Sequence, residues 1–351
     1  MVFLLSGVIA AAMVPEQVEE ALPQGAEELW EDLEGNTDHT AFFEGLSLLW
    51  KKVGEFCTAD LESYLKKMAV LLTAVLLCGV IEDCIKSTDH QLVANYAPMA
   101  GVLVITATAV GDMESMMGLA YRTIEELDVF SKAFLPTLAA ATAAGGGMVS
   151  ASVRQVGTVA FANVLMTLIH RVLMPMVYCY IALLSADTIL PDHPLKSLAG
   201  GIKKGMTWVL TGGLTLFTGY LTISGAVATA SDSLAAQVTQ SAISAAVPVV
   251  GTILSQAAGS VLAGASALKN SIGVFGVLAI LAASLMPFLT IGTQYLLYKL
   301  TSFLSGTLGQ NALVEYLNAL GGAFGLVLGM VASCVLLLLL SAISFLSVVV
   351  I

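Results

Sequence analysis

The stretch SIGVFGVLAILAASLMPFLTIGTQYLL, residues 271–297, contains no Asp, Glu, Lys, Arg or His. As a helix it is about 40 Å long at 1.5 Å per residue, enough to cross a hydrocarbon core of roughly 30 Å. Comparable apolar runs recur on both sides of it. Residues 91–110, 156–186, 205–230, 247–267 and 320–351 are long, 68–85 is interrupted near its end by Glu82 and Asp83, and 134–147 is short. Across all 351 residues, 57% are hydrophobic and 11% charged, against roughly 45–50% and about 25% in ordinary soluble domains. A mean hydropathy of +0.89 excludes a single water-soluble globule. The expected fold is all-α: a polytopic helical membrane protein with about six spans.

The formal net charge is −11, and all of it sits at the N-terminus. Residues 1–62 hold 13 of the 25 acids and 2 of the 14 Lys and Arg, and the remaining 289 residues hold 12 of each. No basic patch exists to release counterions from phosphate, so a nucleic-acid partner is excluded and the lipid bilayer is the expected surroundings. Residues 1–14 form an apolar run ending in Ala10-Ala11-Ala12 before Pro15. They suit the apolar core and cleavage site of an export signal, without its positive start. Residues 15–66 are acidic and amphipathic, with Leu29, Trp30 and Leu33, then Phe42, Phe43, Leu46, Leu49, Trp50 and Val53, at helical spacing. Two or three short helices, soluble or lying on the membrane surface and outside the cytoplasm, are expected there. Lys196, Lys203 and Lys204 make 187–204 the most basic loop, hence cytoplasmic. Lys51, Lys52, Lys66 and Lys67 argue the opposite orientation, but they lie among abundant acids.

A tandem repeat organises the rest. Pro136 and Pro175 are 39 residues apart, as are Pro248 and Pro287, and the two pairs are offset by 112. Leu173-Met174-Pro175 matches Leu285-Met286-Pro287, and the run from Pro136 to Gly147 aligns with that from Pro248 to Gly259. Residues 134–147 span only about 21 Å as a helix, too short to cross, so a re-entrant half-helix is expected. Residues 247–267, with Gly251, Gly259 and Gly264, are expected to form a second broken hairpin. The resulting division is a signal-like segment (1–14), an acidic extracytoplasmic segment (15–66), two N-terminal transmembrane helices (67–111) and two membrane repeat units (112–224 and 225–351).

No catalytic constellation is visible. His39, His90, His170 and His193 are dispersed without a metal-binding pair. There is neither a nucleophile elbow nor a phosphate-binding loop, and Gly145-Gly146-Gly147 reads as a helix end or close-packing site. Cys57, Cys78, Cys84, Cys179 and Cys334 lie scattered in mostly apolar sequence and read as small buried hydrophobes. No metal or cofactor is implied. His170 and Arg171 fall near the middle of 156–186. A charge at mid-bilayer costs roughly 3 kcal/mol on insertion scales, so they either line an aqueous conduit or mark a membrane surface between two short segments, 156–169 and 172–186. Asp232, Lys269 and Asn270 sit where caps and interface anchors belong. Gly321, Gly325 and Gly329 form a tandem G-x-x-x-G that lets helix backbones approach closely.

Val247-Pro248-Val249-Val250-Gly251, Leu254-Ser255 and Leu268-Lys269-Asn270, followed by Gly273 and Gly276, resemble the signature stretch of the stage III sporulation protein AE family. Leu216-Phe217-Thr218-Gly219 with Ser224-Gly225 and Asp232 resembles the segment before it, and Phe134-Leu135-Pro136 with Gly145, Gly146 and Gly147 an earlier part. The resemblance covers roughly residues 65–350 and is most specific over 247–276. It implies a polytopic subunit of the mother-cell membrane of an endospore former. The implied partners are sister stage III sporulation membrane proteins and a forespore membrane protein, in a channel or secretion-like conduit. It implies no enzymatic activity for this subunit, with an ATPase sister as the energy source, and a homo-oligomer is compatible with it. The alternative is a self-contained secondary transporter with its substrate between the two repeat units. Such a protein commonly carries ionisable groups at mid-membrane. Residues 271–297 have no charged group, which favours the conduit subunit.

Overall fold

The computed structural model describes residues 15–32, 39–59, 61–86, 97–144, 148–190, 194–246, 251–307 and 311–346. Four helices come first: α1 (Glu16–Glu19), α2 (Gln24–Asp32), α3 (His39–Ala59) and α4 (Leu61–Lys86). Then follow α5 (Ala97–Ala144), α6 (Met148–Leu168), a π-helical turn (Ile169–Leu173) and α7 (Met174–Ile189). The chain closes with α8 (Lys196–Ala246), α9 (Gly251–Gly306) and α10 (Asn311–Leu346). No strand occurs among the described residues.

Six stretches are long and apolar enough to cross a membrane: Glu62–Ile81, Gly101–Ala143, Val156–Thr188, Lys196–Ser224, Ser271–Gly306 and Leu313–Leu346. The protein is multi-pass and all-helical. The helices are longer than the sequence suggests, and neither re-entrant element appears as expected. α5 is 48 residues long, about 72 Å, and residues 134–144 are its last three turns. Pro136 removes one ladder bond, a defect worth about 3 kcal/mol in a helix interior. Around it Phe134, Leu135, Leu138 and Ala139 are buried, and that packing holds the helix through the defect. In the second unit 247–250 lie outside the described residues, and 251–267 are the start of the 56-residue α9. Gly259 and Gly264 do not break it, since a glycine costs a helix only about 1 kcal/mol.

The expected separation of 156–169 from 172–186 is instead a change of helical register. The π turn lies just before Pro175, the second residue of α7. A proline ring clashes with the carbonyl four residues back, here that of Arg171, and the wider turn relieves that clash. Near the end of α7, Asp187 accepts a 2.7 Å hydrogen bond from the Leu195 backbone N–H and fixes the entry to α8.

α9 and α10 form a hairpin and the central packing pair. The Tyr298 and Phe324 rings stack at 4.9 Å, and Lys299 Nζ donates to Asn318 Oδ1 at 2.5 Å and to its carbonyl at 3.0 Å. Gly321 and Gly325 let α10 lie against the side chains of Lys299 and Tyr295. Gly276 of α9 is covered by the Phe134 ring, which stacks on Phe130 at 5.2 Å.

The acidic N-terminal segment forms the short helices expected of it, and α2 is docked on the bundle. Ala26 and Leu29 are buried, the Trp30 and Phe275 rings meet edge to face at 4.6 Å, and Gly25 lies against the backbone of Ala282 and Ala283.

A mixed-charge cavity beside a π turn

The π turn places His170 and Arg171 opposite the polar face of α5. Tyr121, Ile124, Glu125, Asp128 and Lys132 recur at helical spacing on α5, while α6 contributes Asn163, Met166 and Thr167; together with His170 and Arg171 they enclose about 370 Å³. Ile124 and Met166 are buried and form an apolar floor. The Tyr121 and His170 rings pack edge to face at 3.7 Å. His170 Nε2 is enclosed by protein without a hydrogen-bond partner, and Arg171 is exposed. On the α5 wall Lys132 Nζ lies 2.6 Å from Asp128 Oδ2, which leaves Glu125 as the uncompensated carboxylate.

Chemically this arrangement can bind, with charges of both signs facing one space. It holds no nucleophile paired with a base, and no group of three or more His, Cys, Asp or Glu able to hold a metal occurs among the described residues. π turns inserted in long helices are frequent at functional sites because they re-aim side chains.

Two further polar clusters cross the bundle. Lys67 Nζ lies 2.6 Å from Asp112 Oδ1, and the buried Tyr298 hydroxyl donates to Asp112 Oδ2 at 3.2 Å. The Tyr316 hydroxyl bridges Thr106 at 2.5 Å and Ser185 at 2.8 Å. A larger groove of about 800 Å³ runs between α8 and α10, lined by Thr207, Thr211, Thr215, Thr218 and Thr222 on one side and Gly325, Gly329 and Ser333 on the other. The hydroxyls of Thr207, Thr215, Thr218 and Thr222 donate to carbonyls four residues back, so they present methyl groups outward.

Of the residues singled out in the sequence, His170 and Arg171 enter the cavity. The remainder are dispersed: Pro136 is inside α5, Pro175 near the start of α7 and Pro287 inside α9. Gly321 and Gly325 pack on α9, and Gly329 faces Leu210. Gly251 opens α9, and Asp232, Lys269 and Asn270 lie in α8 and α9 with side chains outside the description; Gly145, Gly146, Gly147 and Pro248 lie outside the described residues altogether. Glu125, Asp128 and Lys132 share one face of α5 and match no motif by which the sequence singles them out. The pairing of Lys67 with Asp112, 45 residues apart, left no local signal.

These features define the class: a multi-pass α-helical membrane protein with a mixed-charge cavity between two of its long helices. The family model of stage III sporulation protein AE matches residues 28–349, and the chain belongs to that family. Its assignment to sporulation follows from this. The stage III sporulation protein AE of Bacillus subtilis (strain 168) is 22% identical over 255 residues, which cover 73% of this chain and 64% of that protein. The match thus spans less than two thirds of that relative's length. No solved structure matches.

Proposed function

We propose that the protein is a membrane-embedded subunit of a multi-protein channel or secretion-like complex linking mother cell and forespore, and that it performs no chemistry of its own. Residues 67–111 would supply two N-terminal crossings, and 112–224 and 225–351 two membrane units. Sister stage III sporulation membrane proteins and a forespore membrane protein would be its partners, with the mother-cell membrane facing the forespore as its location.

The observation that carries this reading is the unfilled face of α8. Gly205, Gly212 and Gly219 recur every seven residues with nothing within 4 Å of where a Cβ would stand. Trp208 is 78% exposed beside them, and the threonine-lined groove adjoins them. Small residues and threonines are the surface on which membrane helices pack closely. Leu216 and Ile223, each 69% exposed on the same face, would add apolar contacts to a partner helix seated there.

The test is co-purification. Gly212→Leu is expected to release the sister membrane proteins while the protein itself stays abundant, and loss of the gene to arrest sporulation after engulfment with vegetative growth untouched. The mixed-charge cavity favours a second reading, a self-contained secondary transporter. Saturable solute uptake by the purified protein alone in liposomes, abolished by Arg171→Ala, would establish that reading and exclude the first.

A further inference from the structure

The two walls of the cavity carry opposite charge. On α5, Glu125 and Asp128 face it, and Lys132 compensates only Asp128. Across from them, Arg171 has no ion pair among the described residues, and Asn163, Thr167 and His170 supply further polar atoms. Among these, His170 Nε2 is enclosed and lacks any partner. A simple anion would meet Glu125, and a simple cation would meet Arg171. A ligand bearing both signs satisfies both walls.

We propose that this cavity binds an aminophosphate of the phosphoethanolamine kind, its phosphate on the Arg171 wall and its primary ammonium on the Glu125 and Asp128 wall. Three points select this chemistry over other zwitterions. A planar guanidinium with neighbouring amide, hydroxyl and imidazole groups offers more contacts than a carboxylate has oxygens to accept, and suits phosphate. The uncompensated Glu125 carboxylate needs N–H donors, which a primary ammonium has and a quaternary one lacks. The site is also continuous with further charged groups: the adjacent Glu126 accepts a hydrogen bond from the Gln24 backbone of the acidic helix α2, with Glu27 close by. The inference does not depend on the channel-subunit reading.

The source is a lipid headgroup or the free aminophosphate, and the experiment separates them. Full-length protein in detergent is melted with phosphatidylethanolamine, its mono- and dimethyl derivatives, phosphatidylcholine and phosphatidylglycerol at equal mole fraction, and with soluble phosphoethanolamine. Protection is expected to be greatest with phosphatidylethanolamine and to fall stepwise with N-methylation, a series that needs no mutation. Lipid retained through purification should fall at least ten-fold in Arg171→Gln and in Glu125→Gln, and less in Arg171→Lys; Lys66→Gln, on exposed surface, should retain it. Protection by soluble phosphoethanolamine equal to that by the lipid supports the same chemistry and assigns the free molecule. Equal protection by phosphatidylcholine or phosphatidylglycerol overturns the proposal, as does undiminished retention in folded Arg171→Gln.

Discussion

At Gly276 the absence of a single side chain decides how two long helices meet. The Phe134 ring occupies the space a Cβ would need. That ring is fully buried and stacked on Phe130, so it has nowhere to retreat. Gly276→Val is expected to destabilise the protein by about 1–3 kcal/mol, the usual range for overpacking, read as a lowered melting temperature in detergent. The diagnostic outcome is coupling. In a Phe134→Ala background the same substitution should cost almost nothing, because the colliding ring is gone. Equal costs in both backgrounds would show that the contact is not what Gly276 serves. Gly276 was visible in the sequence as part of a glycine pattern, but its partner, 142 positions earlier in the chain, was not, since nothing in a local stretch encodes a long-range contact.

Among the elements, α2 realises its amphipathic spacing against a partner far along the chain. Glu27, Glu28 and Glu31 are exposed; its other face packs on α9 through Ala26, Leu29 and Trp30. The amphipathic spacing was legible, whereas what the apolar face would meet was not. Gly25→Leu should lift α2 from α9, because the Cβ position is 2.9 Å from the Ala282 carbonyl oxygen and a helix backbone does not yield. Faster proteolysis between α2 and α3, with a red-shifted Trp30 emission, is the expected readout; unchanged cleavage would mean that α2 is not held by this contact. The link from α2 to α3 is pH-dependent. Lys52 donates a 2.7 Å hydrogen bond to Glu28, and that bond, then the charge, holds the Glu28 carboxyl below the usual carboxylate range. A lowered folded pKa stabilises above the unfolded value and is lost as pH falls through the folded one. Glu28 is largely exposed and Lys52 only partly covered, so the pair's contribution is under about 1 kcal/mol. Proteolysis of the connection should rise modestly as pH falls below the usual carboxylate range in the wild type, and no further in Lys52→Met. The six spans were legible because uninterrupted apolar runs need no partner to be recognised. The lengths of α5 and α9 were not: burial around Pro136 outweighs its helix-breaking signal, and Gly259 and Gly264 cost a helix only about 1 kcal/mol each.

On the scale of the whole molecule, which side the acidic segment occupies turns on two groups of lysines that favour opposite orientations. Lys196, Lys203 and Lys204 favour a cytoplasmic start to α8, while Lys51, Lys52, Lys66 and Lys67 compete for the same side. In the folded protein each of the latter lies beside a carboxylate: Lys51 with Glu55, Lys52 with Glu28, Lys66 with Glu62 and Lys67 with Asp112. Lys196 pairs only across the α8–α10 contact, with Glu315. The six apolar stretches alternate in direction, so the connections after α4, α7 and α9 fall on one side. Consistent with this, Gly101 just after the first connection packs on Cys78 and Leu313. If the basic start of α8 is cytoplasmic, three crossings separate it from the acidic segment, which must then be outside. A cysteine introduced by Glu44→Cys, with Cys57 and Cys179 replaced by serine, should react with a membrane-impermeant thiol reagent in intact cells. A Lys204→Cys variant in the same background should react only after lysis. Labelling in the reverse pattern would invert the protein, placing the α2 face and Trp50 in the cytoplasm. Labelling of both sites in intact cells would break the alternation itself and require an odd number of crossings between residue 44 and residue 204 to become even.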